Sequence, residues 1–320
     1  MEIGYWLSSE EHTPNDLVRH AQQAEAIGFT FAQISDHFHP WIDRQGHSPF
    51  IWAVIGGIAQ ATERLRLQTA VTCPIMRIHP AIIAQAAATV TAMMPGHFLL
   101  GVGTGENLNE HILGEHWPPI ETRQAMLKEA IEVIRLLWQG GEQSYAGHYY
   151  TVENARLYTL PDEPPPIHVA AAGSNSAELA GRVGDGLITT SPDSELLEAF
   201  SQAGGKGKPC YGKVALCWAE SEAEARRTAY EIWPNAGLQG ALSTELALPA
   251  YFEQAVQLVT EDQVAERIIC GPDPEPCIAA LRKYAEAGFD YVSLHQIGPD
   301  QEGFFEFYKR ELSLRIQKEV

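Results

Sequence analysis

The pair Asp36-His37 sets a carboxylate beside an imidazole, the one side chain whose ordinary pKa lets it exchange a proton near neutrality. A general base satisfies this pair, and so does a histidine held by structural hydrogen bonds. Trp41 lies nearby and favours the chemical reading. A metal site of His37, His39 and His47 is disfavoured because His37 and His39 fall on opposite sides of an extended segment; no metal is expected. The run Gly101-Val102-Gly103-Thr104-Gly105-Glu106 lacks the G-x-G-x-x-G spacing of dinucleotide folds. Its glycines instead let the backbone approach a flat ring system within reach of Glu106 and Asn109. A tight turn with solvated polar groups is the plainer alternative. Gly173-Ser174-Asn175-Ser176 precedes the helical stretch SAELAGRVG. Free N–H groups and two hydroxyls there can hold a phosphate without a lysine, unless Ser174 or Asn175 only caps the helix.

These groups need elements to aim them. Short β-branched or apolar runs alternate with amphipathic segments of helix length, the pattern of parallel βα units. Eight runs read as strands: Ile3–Leu7, Phe31–Ser35, Leu65–Thr72, Phe98–Val102, Ile167–Ala171, Gly186–Thr190, Val214–Ala219 and Tyr291–Gln296. Thr13-Pro14-Asn15-Asp16 supplies a capping hydroxyl, an N1 proline and an N3 acid for the first helix, which Gly28 ends. Ser8-Ser9-Glu10, Asp36-His37, Cys73-Pro74, the Gly103–Asn109 run and Gly173–Ser176 each follow the end of a strand. In an α/β (β/α)8 TIM barrel those ends share one rim. An open doubly wound sheet has the same local pattern, and eight strands favour closure. Residues 1–320 read as one domain with insertions at about 142–166 and 233–271.

The chain has 320 residues, 45% hydrophobic, with a formal charge of −19. Such acidity argues against nucleic acid or an anionic membrane as partner and leaves any anionic cofactor to backbone N–H groups. Five scattered cysteines form no close pairs and read as free thiols. No apolar stretch of membrane length and no signal-peptide pattern is present, so a cytoplasmic protein is expected.

The motifs SDHFHPW (35–41), HSPF (47–50), HPAIIAQAAATV (79–90), LGVGTGENLNEH (100–111), YTVENARLYTLPD (150–162), AGRVGDGLITTS (180–191) and WPNAG (233–237) run through nearly the whole chain. Jointly they resemble the coenzyme F420-dependent glucose-6-phosphate dehydrogenases and their relatives in the bacterial luciferase-like superfamily. The resemblance implies a luciferase-like barrel, usually homodimeric, with the deazaflavin ring in its mouth. By position it makes Asp36 a cofactor contact, His37 the base that takes the substrate's hydroxyl proton, Trp41 a flank for developing charge and Glu106 the partner acid. Cys73, Gly105 and Asn109 fall on the cofactor side, Glu10, Thr190 and Arg267 on the substrate side. Ala70-Val71 matches a non-prolyl cis peptide behind the ring, and Gly173, Ser174, Asn175 and Ser176 match the phosphate-holding segment.

The sequence also departs from that pattern. Of the two lysines and one arginine that hold the sugar phosphate in those enzymes, the arginine is kept, as Arg267. One lysine falls on Asp193 and the other near Ser243. A carboxylate there repels a phosphate dianion, so a neutral sugar, a secondary alcohol or an activated alkene fits as well as or better than glucose 6-phosphate. The expected activity is hydride transfer between a small alcohol or sugar-type molecule and the deazaflavin. The alternatives are an FMN-dependent luciferase-like monooxygenase and a non-catalytic deazaflavin-binding protein.

Overall fold

Thr13 begins the first helix as its sequence predicts: its hydroxyl accepts from the Asp16 N–H at 3.2 Å, Pro14 opens Pro14–Ile27, and Gly28 ends it at φ 104°. The computed structural model describes all of residues 1–320. Eight parallel strands form the frame: β1 (Glu2–Leu7), β2 (Phe31–Ile34), β3 (Arg66–Thr69), β4 (Phe98–Val102), β5 (Ile167–Ala170), β6 (Gly186–Ile188), β7 (Cys210–Cys217) and β8 (Tyr291–Gln296). Each pairs with its sequence neighbours, and β8 pairs with both β7 and β1, so the sheet closes. The fold is the expected (β/α)8 barrel, with helices between strands. One boundary differs substantially from expectation. β7 begins at Cys210, four residues before the apolar run, because Gly212 and Lys213 interrupt that run while still pairing with Val292 and Ser293.

Side chains fill the barrel in layers, as closure requires. Phe31, Leu99, Ile188 and Tyr211 plug the N-terminal end. Above them a chain of buried polar groups crosses the interior: Ser293 Oγ donates to Gln33 Oε1 (2.5 Å), Gln33 Nε2 to Gln68 Oε1 (2.5 Å), and Gln68 Nε2 meets His168 Nδ1 (2.6 Å). Every member has a partner, which a buried polar chain needs to avoid a desolvation cost. Higher still lie Trp6, Lys213 and His295, with Lys213 Nζ 4.2 Å from the Trp6 ring centroid and the Trp6 and His295 rings 5.7 Å apart. These form the floor of a cup whose rim carries the strand-end motifs.

Both insertions are structured. The first contains an antiparallel hairpin, Gln143–Ala146 with Thr151–Ala155, that pairs with no barrel strand. The second folds into the short helices Leu242–Glu245, Pro249–Ala255 and Glu261–Ala265, then returns through Ile269–Cys270 to extend the sheet beside β7. Its Trp233 and Phe252 share an apolar cluster with Trp41, Ile42 and Leu108, so this insertion walls the mouth of the barrel.

Candidate active site

β2 ends at Ile34, and the chain leaves it through Ser35, Asp36 and His37 without regular structure. The His37 carbonyl is tied by the Ser48 hydroxyl at 2.8 Å, and its ring Nδ1 lies 3.3 Å from the His39 carbonyl. A carbonyl only accepts, so Nδ1 is the donor there and Nε2 is left to face inward. That Nε2 stands 3.5 Å from Glu10 Oε1 and 3.3 Å from Glu106 Oε2. Trp41 packs against the imidazole at 5.1 Å between centroids and is itself backed edge-on by Phe252 at 5.1 Å.

The two carboxylates are held differently. Glu10 is 1% exposed, yet one oxygen receives the hydroxyls of Ser35 (2.7 Å) and Ser8 (3.0 Å). Burial pushes its carboxyl up, but nearby His37 and the Ser35 and Ser8 hydrogen bonds outweigh burial and hold it below the usual range. At Glu106 burial wins: its carboxyl is raised despite His37, with Glu10 and Glu110 adding repulsion. One acid with its proton affinity lowered and one with it raised, beside a single imidazole, is an acid–base arrangement.

Asn109 locks these loops together. Its side-chain carbonyl accepts the N–H of Phe38 (2.8 Å) and of His39 (3.2 Å), while its amide donates to Glu106 Oε2 (3.0 Å). Asp36 sits deeper: its carboxylate accepts from Thr72 Oγ1 (2.7 Å) and Arg77 Nη2 (2.8 Å), and Arg77 also reaches Glu110 through its backbone N–H (2.8 Å). Asp36 thus anchors the 72–77 segment, with its side chain 1% exposed. The Ala70–Val71 peptide just before that segment is cis, the geometry the resemblance implies. Cys73 is buried, and burial pushes its thiol well up. Gly105 adopts φ +71°, and a Cβ there would come 2.5 Å from Cys73 Sγ; only glycine brings this backbone so close.

On the opposite rim, Gly173 begins the helix Ser174–Val183 and has open space where a Cβ would stand. Capping falls to Ser176, whose Oγ accepts the N–H groups of Ala172 and Gly173 at 3.2 Å each, not to Ser174 or Asn175. The latter two are exposed, with first-turn N–H groups that have no partner inside the helix. Thr190 is exposed beyond β6, its carbonyl taken by Tyr284 at 2.9 Å. Arg267 is exposed and makes no ion pair; the structure does not bring it into the His37 cluster. Asp193 caps the helix Ser194–Phe200 by accepting the Glu195 N–H at 2.9 Å.

Several residues of the cup escape a reading of motifs. Glu11 accepts from Trp233 Nε1 (2.5 Å) and from the Gly298 N–H (2.8 Å) and lies 3.2 Å from His295 Nε2, tying the second insertion to β8. Burial, with Lys213 nearby, holds His295 well below the usual imidazole range. Lys213, Trp6 and Arg77 join from mid-strand and loop positions. An inward lysine on a strand with alternating burial was the one signal available for Lys213.

Comparison with known proteins agrees with this geometry. The family model described as "Luciferase-like monooxygenase" matches residues 1–291. An F420-dependent glucose-6-phosphate dehydrogenase of Segniliparus rotundus is 34% identical over 330 residues, covering 99% of this chain and 98% of that protein. F420-dependent glucose-6-phosphate dehydrogenase 1 of Rhodococcus jostii is 36% identical, with 99% and 98% covered. A solved F420-dependent secondary alcohol dehydrogenase, in complex with an F420–acetone adduct, superposes with a TM-score of 0.90 at 32% identity, covering 98% of each chain. With a closed barrel, an imidazole between two carboxylates at its mouth and relatives matched end to end, the chain belongs to the luciferase-like monooxygenase family.

Proposed function

We propose that this protein is a coenzyme F420-dependent oxidoreductase that oxidises a small alcohol or sugar-type substrate, reversibly, by hydride transfer to the deazaflavin. The observation that carries the reading is His37 Nε2, poised between Glu10 and Glu106. The relatives named above act with F420, and the one with the acetone adduct is named for secondary alcohols. When bound, the deazaflavin supplies a hydride-accepting carbon.

The residues fit such a group. Gly105 lies against Cys73, just after the cis Ala70–Val71 peptide, and Asn109 fixes the adjoining loops. In the segment Gly173, Ser174, Asn175 and Ser176, the last three offer uncompensated N–H groups for a phosphate in an otherwise acidic protein, while the Gly173 N–H is taken by Ser176 Oγ. Asp36 supports the ring site through Thr72 and Arg77. His37 Nε2 takes the hydroxyl proton as the carbinol carbon becomes a carbonyl. Ionised Glu10 stabilises the imidazolium that results, Trp41 shields it from water, and protonated Glu106 serves as the acid on the cofactor side. Thr190 and Arg267 border the substrate's approach from the exposed rim.

Glucose 6-phosphate is a poor candidate. Asp193 puts a carboxylate, and half-buried Ser243 a hydroxyl, at or near the positions where the resemblance implies phosphate-binding cations. We further propose that residues 1–320 act as one domain, as a homodimer and in the cytoplasm. Exposed Phe50, Ile82 and Leu113 offer apolar surface for a second copy, and five free cysteines suit a reducing compartment.

Anaerobic incubation with oxidised F420 and a panel of secondary alcohols, neutral sugars and sugar phosphates tests the assignment through loss of the cofactor's visible absorption. Tight FMN binding with reductant-driven oxygen uptake would overturn it in favour of a monooxygenase. F420 binding without turnover of any panel member would leave a carrier protein instead.

A further inference from the structure

The floor of the cup holds two hydrogen-bond donors that nothing in the chain satisfies. Lys213 projects inward from β7, half-buried, with Nζ 4.2 Å from the Trp6 ring centroid and 6.0 Å from that of Trp233. Its ammonium makes no hydrogen bond and no ion pair within 4.0 Å. The indole N–H of Trp6 is buried, 8% exposed, and likewise without a partner. An ammonium and an indole N–H only donate; the indole is buried without an acceptor, which is costly, and the half-buried ammonium is free to take one from a ligand.

The surrounding charge narrows what that acceptor is. Glu10, Glu106 and Glu11 all act on Lys213, and His295 beside it stays neutral because burial and Lys213 disfavour its charged form. Ionised Glu10 already supplies the ammonium's countercharge. An anionic substrate group would meet repulsion, whereas a neutral hydroxyl or carbonyl oxygen would not.

We propose that Lys213 and Trp6 form a second substrate-binding point, taking a neutral oxygen on a carbon other than the one that loses hydride. The enzyme's substrates are then polyhydroxylated or oxo-alcohols rather than monofunctional alcohols. This specificity rests on the cup being the alcohol-oxidising site described above.

The test compares butan-2-ol with butane-2,3-diol and glucose on the F420-loaded protein, by equilibrium titration of tryptophan fluorescence and by turnover. The wild-type protein binds at least one oxygen-rich ligand about tenfold more tightly than butan-2-ol, since a site built to bond a hydroxyl rejects an analogue lacking it. Lys213→Met lowers that ratio to near one, and Trp6→Phe, which keeps the ring and removes the N–H, lowers it severalfold. Equal binding of all three ligands by wild type, or an unchanged ratio in both variants, overturns the proposal. So does Lys213→Met slowing every alcohol equally while moving the pH profile, which would make the lysine an electrostatic support only. If a Lys213-dependent preference appears in binding without turnover, the subsite stands and the oxidoreductase assignment falls. Turnover without any preference removes the subsite alone.

Discussion

Glu10 and Glu106 meet across a single nitrogen, His37 Nε2, at 3.5 and 3.3 Å, and their surroundings drive their proton affinities apart. Two serine hydroxyls serve Glu10, whereas Glu106 receives only the Asn109 amide. The difference makes Glu10 the weaker and Glu106 the stronger proton acceptor of the two.

Glu106 therefore governs the alkaline side of its own titration. Burial raises its carboxyl pKa, so the protonated form persists above the usual carboxylate range and is lost as pH rises through the raised value. Glu106→Gln should abolish that limb of the kcat profile and lower kcat by about 10²–10⁴-fold. A profile of unchanged shape would show that Glu106 does not carry the proton.

Removing the base tests a different link. His37→Ala should lower kcat by a similar factor of about 10²–10⁴ while the F420 dissociation constant changes little, because the proposed phosphate-holding segment, Gly173–Ser176, does not include His37. Equilibrium titration alongside stopped-flow reduction separates the two effects. Wild-type turnover in this variant would rule out the assignment.

Arg77 neutralises two buried acids, Asp36 and Glu110, whose side chains are 1% and 0% exposed. Arg77→Met leaves both unpaired and should cost about 3–5 kcal/mol of folding stability. Chemical denaturation would read this directly. A loss below about 1 kcal/mol would mean the carboxyls simply take up protons.

Acid should destabilise the fold through buried imidazoles. His12 and His20 pack edge to face at 4.7 Å, and burial lowers each from 6.5 to about 4. The unfolded chain binds protons there first, so their contribution is complete above about pH 6.5 and fades as pH falls towards 4. Tm should drop steeply across that window, and His20→Leu should flatten the drop. Parallel Tm curves for both proteins would remove these histidines as the cause.

Much of this was legible beforehand for a physical reason. Strand ends in a closed barrel converge, so Glu10, His37, Cys73 and Glu106 could be assembled from order along the chain alone. The first helix was equally plain, because Thr13, Pro14 and Gly28 are local signals. What stayed hidden depends on partners distant in sequence. Lys213 looks like a break in an apolar run until the barrel shows that its face is interior. Arg77 is one arginine among many until Asp36 and Glu110 are seen on either side of it. Arg267 shows the limit of pattern matching: its position was plain in the sequence, but that it stands exposed, without an ion pair and apart from the His37 cluster, was not.

The amide chain inside the barrel runs one way. From β8 through β2 and β3 to β5, each member hands its hydrogen forward, and the last link requires His168 Nδ1 to offer a lone pair. Burial lowers His168 to about 4, which keeps the ring neutral, and the Gln68 amide then selects the tautomer with Nδ1 free. A single ring thus sets the orientation of two glutamine amides across four strands. A proton on Nδ1 would confront an N–H with an N–H, and the reversal would have to travel back through every member before the interior was satisfied again.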